Sequence, residues 1–149
     1  MLSDDELVRG FEAGTLSELP HASHVRLTLI YLARHGEAEA RRRLADGLLL
    51  FATAKGHPEK FHVTMTRAWL ELIESALRRH PQTSDPQTLV AACPELLDKD
   101  AINCFYSPER LASDDARAGW VPPDREPTID FDVLRSRVKA DRTRRAESV

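Results

Sequence analysis

His21, His24 and His62 are the residues of this chain whose type and spacing best suit chemistry. A neutral imidazole takes up and releases protons near neutral pH and also binds metal ions, so what surrounds it decides its role. In "HASHVRLTLIYL" (21–32) the first two histidines stand three residues apart. At about 100° per residue His21, His24, Thr28, Tyr31 and His35 share one arc of a helix. Val25, Leu27 and Leu32 bracket that arc, which turns it inward. In "FHVTMTRAW" (61–69) the same periodicity groups His62, Thr66 and Trp69 with Ile73, and leaves Arg67, Glu71 and Glu74 on the opposite, wet face.

Two inward stripes carrying histidine point to a polar pocket. Short connections between the helices favour an up-down-up arrangement, which sets His24 and His62 near the N-terminal ends of parallel helices. Partial burial and the positive helix ends both disfavour imidazolium, and neutral imidazole is what a general base or a metal ligand requires. The expected machinery is His24 and His62 for proton transfer with His21 as a third member. Arg26 or Lys60 would orient an anionic group, and Tyr31, Thr66, Trp69, Tyr106 and Trp120 would shape the wall. Acid–base chemistry on a small polar or anionic molecule (lyase, isomerase or hydrolase type), or binding of such a ligand, is the function that fits.

Each residue also has a plainer reading. A histidine on an apolar face is commonly a packed residue hydrogen-bonded to a backbone carbonyl or a threonine, and Trp69 suits a core. On that reading the chain is a non-enzymatic interaction module. A further alternative is a divalent-metal site on His21, His24 and His62, completed by a carboxylate such as Glu18, Glu37, Asp114 or Asp115. No H-E-x-x-H, Gly-rich phosphate loop or G-x-S-x-G elbow occurs, so no cofactor is expected. Arg41, Arg42 and Arg43 fan across a helix surface as a solvated face.

The elements that must hold these residues read as helices throughout. Four main helices are expected at about 4–13, 20–35, 37–55 and 58–79. Ser3 with Glu6 forms a capping box, and Gly14, Gly36 and Gly56 supply stops. Pro20 and Pro58 suit first-turn positions. Beyond the polar loop "HPQTSDPQT" come short apolar bursts, with Ser107 and Ser113 as caps of one- or two-turn helices. "WVPPDREP" is held extended by its prolines. Phe131, Leu134 and Val138 begin an amphipathic stretch that passes into a charged, fraying tail. The fold class is all-α: a single-domain helical bundle over residues 1–130, followed by a tail over 131–149.

Bulk properties narrow the partners. The 149 residues carry a formal charge of −3, with a pI near 6.1, which gives no electrostatic footprint for nucleic acid. No apolar run has the length of a membrane span, and the acidic "MLSDDEL" start lacks the pattern of a secretory signal. Two cysteines, Cys93 and Cys104, are expected as reduced thiols in a cytoplasmic protein. The stretches "GFEAGTL", "HASHVRLTLIYLARHG", "KFHVTMTRAWLELI" and "ARAGWVPPD", spread over residues 10–127, together resemble a group of short, all-helical bacterial proteins. The resemblance implies a stand-alone bacterial domain and carries no reaction with it.

Overall fold

In the computed structural model, residues 1–83 and 85–147 are described; Ser84, which belongs to the expected polar loop, and Ser148 and Val149 of the expected tail lie outside them. The protein is all-helical, 71% helix, with no strand among the described residues. Among the described residues eight α-helices run in the order α1 (Asp4–Ala13), α2 (His21–His35), α3 (Glu37–Ala54), α4 (Val63–Arg79), α5 (Pro86–Ala92), α6 (Pro108–Leu111), α7 (Asp114–Ala118) and α8 (Phe131–Glu147). Tight 3₁₀ turns at Pro58–Lys60, Pro94–Leu97 and Ala101–Cys104 link them.

Local chemistry explains the ends. The Ser3 hydroxyl accepts the Glu6 amide at 3.1 Å, and Glu6 Oε1 accepts the Ser3 amide at 3.0 Å, closing the capping box in both directions. Gly14 ends α1 at φ +71°, in the left-handed region. Ser107 and Ser113 cap α6 and α7 by accepting the amides of Arg110 and Ala116, each at 3.2 Å.

Two boundaries differ from the sequence expectation. Pro20 is the extended residue before α2 and not its first turn. The fourth helix starts at Val63 and not near residue 58. Pro58 opens a separate 3₁₀ turn, after which Phe61 and His62 are extended, so His62 becomes the cap of α4. The physical reason lies in the imidazole, whose Nδ1 accepts the Met65 amide at 3.0 Å and so fills the role usually taken by serine or aspartate.

Two apolar clusters meet across α2. On one side Leu27, Ile30 and Tyr31 pack with Leu7 and Phe11 of α1 and Ala40 and Leu44 of α3. On the other, Val25 and Leu29 join Trp69, Leu72 and Ile73 of α4 and the second half of the chain. The Phe11 ring abuts α3 at Gly47, where an added Cβ would stand 2.1 Å from the ring. The irregular second half is stitched to α4 by polar side chains. The Thr64 hydroxyl donates to the Gly119 carbonyl at 2.7 Å and accepts the Val121 amide at 3.1 Å. Ser75 Oγ accepts the Phe131 amide at 2.9 Å. The amphipathic stretch after residue 130 is α8; its Phe131 and Leu134 are buried in the α4 cluster, and the helix continues through the charged residues to Glu147.

Candidate functional site

A cavity of about 420 Å³ opens where the start of α2, the end of α3, the 57–62 segment and the first half of α4 come together. His21, His24, Lys60, His62, Thr66 and Trp69 line it, so six of the residues singled out by type and spacing share one space. Leu19, Leu48, Phe51, Phe61 and Met65 provide apolar wall.

The three imidazoles are in different states. His62 has both ring nitrogens engaged: Nδ1 accepts the Met65 amide, and Nε2–H donates to the Leu111 carbonyl at 2.7 Å. Its neutral Nε2–H tautomer ties the start of α4 to the end of α6. His21 donates from Nε2 to the Leu96 carbonyl at 2.9 Å, and its ring meets Trp69 edge-on at 4.4 Å between centroids. His24, 6.1 Å from His21 by ring centroid, has no hydrogen-bond partner for its ring among the described residues. Burial among apolar walls, with the His21 ring beside it, pushes its pKa down to about 4. At pH 7 His24 is therefore a neutral polar group presented to the cavity. Thr66, by contrast, spends its hydroxyl proton on the His62 carbonyl at 2.7 Å.

Proton transfer shared by His24 and His62 does not follow from this geometry. A ring bonded at both nitrogens has no free lone pair, and a base near 4 is poorly matched to neutral pH. The three-histidine metal set fails for the same reason. His62 is saturated, His21 holds one carbonyl, and no group of three or more His, Cys, Asp or Glu side chains among the described residues is disposed to hold a metal ion. Glu18, Glu37, Asp114 and Asp115 do not line the cavity.

Four further residues belong elsewhere. Arg26 turns toward α1 and pairs with Asp4 at 2.7 Å. Tyr31 is fully buried in the α1–α2–α3 cluster and donates to Glu12 Oε1 at 2.9 Å; burial raises its phenol pKa. Tyr106 is buried as well and donates to the Val121 carbonyl at 2.7 Å. Trp120 packs edge-on against Tyr106 and lies under the Arg67 guanidinium, 4.0 Å from its ring centroid. The two tyrosines and Trp120 thus build the core and its seal.

The structure adds residues that periodicity does not point to: Lys55, His57 and Lys99 at the same cavity. With Lys60, three of the chain's four lysines converge there. Lys55 and Lys60 flank the break between α3 and α4, a visible signal in the sequence. Lys99 arrives from the turn region after α5, and nothing local in the sequence marks it. Among the described residues no carboxylate lines the cavity and none of these lysines forms an ion pair. Lys55 instead lies over the Phe51 ring at 5.5 Å.

Compared with known proteins, the chain matches no family model, no curated protein and no solved structure. No helix among the described residues is long and apolar enough to cross a membrane.

Proposed function

We propose that the protein binds a small amphipathic anion in this cavity. The observation that carries the reading is the convergence of Lys55, Lys60 and Lys99 on an apolar-walled cavity of about 420 Å³ that no carboxylate lines among the described residues. That volume lies in the range of small-molecule sites. The apolar wall suits a hydrocarbon or aromatic body, the ammoniums suit its charged end, and neutral His24 suits an uncharged hydroxyl or carbonyl between them. His21 and His62 act as structural members that fix the wall. Binding is favoured over acid–base turnover because His62 is bonded at both ring nitrogens and His24 is a weak base.

The test compares 2-naphthoate with 2-naphthalenemethanol by isothermal titration calorimetry, using the same aromatic body with and without charge. The carboxylate should bind at least about tenfold more tightly, the scale of one charge-assisted hydrogen bond. In a Trp120→Phe variant, where Trp69 is the remaining tryptophan, the indole N–H resonance of Trp69 should shift on addition of the carboxylate. Equal affinity for the alcohol, or an unmoved Trp69 signal, would overturn the proposal.

A further inference from the structure

The lysine mouth specifies more than the sign of the ligand's charge. Several arginines elsewhere are neutralised internally: Arg26 with Asp4, Arg34 with Asp5, Arg43 with Glu12 and Glu39, Arg79 with Asp130, and Arg135 with Glu95. Among the described residues Lys55, Lys60 and Lys99 have no such partner. They come from three separate places, the residue after α3, the Pro58–Lys60 turn and the segment between two later 3₁₀ turns. Asp98 and Asp100, which flank Lys99 in sequence, line a different groove against α8, so the chain sorts the cation from its acidic neighbours.

Glu59 lies in the Pro58–Lys60 turn. It accepts or shares a proton with His57 Nδ1 at 3.1 Å and lies close enough to Lys60 to interact with it. Ammonium groups are compact point donors suited to separate oxygens, whereas a planar two-oxygen carboxylate is better met by the fork of an arginine. Three such donors on separate segments match the three terminal oxygens of a phosphate monoester, which carries nearly two negative charges above pH 7.

We infer that the ligand's head group is a phosphate monoester dianion held by Lys55, Lys60 and Lys99, with the ester-linked apolar body on the Trp69 side; this rests on the reading of the cavity as an anion pocket. The experiment titrates the full chain at pH 7.5 with 2-naphthyl phosphate, 2-naphthoate and 2-naphthalenemethanol. The phosphate should bind about tenfold or more tightly than the carboxylate. Lys99→Gln, and separately Lys55→Gln, should each weaken the phosphate at least about fivefold while changing the carboxylate by less than about twofold. Both side chains are exposed, so the variants fold. Equal binding of phosphate and carboxylate, both above the alcohol, would overturn the dianion inference and leave the anion pocket standing. A phosphate preference unchanged in both lysine variants would place binding elsewhere and overturn it too. No preference of either anion over the alcohol would remove the pocket reading itself.

Discussion

Protonating His24 is a perturbation that needs no mutation. An unperturbed histidine titrates near 6.5, and in the folded protein apolar walls and the neighbouring His21 hold His24 down to about 4. The unfolded chain therefore binds a proton that the native state refuses. Stability contributed by the neutral ring is complete above about pH 7 and is lost as pH falls through the unfolded value toward the folded one. Each pKa unit corresponds to about 1.4 kcal/mol. Between pH 7 and pH 5 the linkage relation gives a loss of about 2 kcal/mol from this residue alone. Carboxylates held below their usual range, among them Asp85, Asp124 and Asp130, act in the same direction but only at lower pH, where their unfolded counterparts take up protons. Glu74, whose carboxyl burial pushes up, works in the opposite direction as the pH falls, so it is the comparison with a His24 variant that isolates the imidazole. Urea denaturation at pH 7, 6 and 5 reads the loss directly, with His24→Gln as the comparison. The wild type should weaken by about 2 kcal/mol more than the variant across the window. An equal pH dependence in His24→Gln and the wild type would refute the account of a neutral, desolvated ring.

Two structural predictions follow the same logic. His62→Ala removes a helix cap and strands the Leu111 carbonyl, so it should cost about 2–3 kcal/mol in urea unfolding; His62→Asn, which keeps a capping acceptor, should recover about 1 kcal/mol of that. Gly47→Ala should destabilise by about 1–3 kcal/mol, because its Cβ would stand 2.1 Å from the Phe11 ring, and thermal unfolding will show whether the ring yields.

Much of the architecture is legible in single residues. Ser3, Glu6, Gly14, Ser107 and Ser113 mark helix ends through side-chain or backbone preferences that act within a few positions. His62 misleads because an imidazole is an unusual cap and Pro58 resembles the first turn of a helix; the three residues between them decide the matter through tertiary contacts. Such a contact is the bond from Arg117 to the Glu59 carbonyl at 3.1 Å. The arc from His21 to His35 shows a deeper limit. Helical periodicity reports which side chains share a face, but α2 is covered by two clusters, so His24 faces the cavity while Tyr31, on the same arc, enters the other core. Lys99 was beyond reach because its partners at the cavity come from segments thirty or more positions away in sequence, with no periodicity to connect them.

The polar stitches along α4 bear on how the chain assembles. His62, Thr64 and Ser75 reach from one helix to Leu111, Gly119, Val121 and Phe131, and the later segments offer mostly short helices with which to organise themselves. Those segments therefore depend on α4 as a template, and the two halves of the molecule should melt together. Severed between α4 and α5, the pieces would behave as complementary fragments: the downstream peptide shapeless by itself, and recovering its helices when the upstream one is supplied.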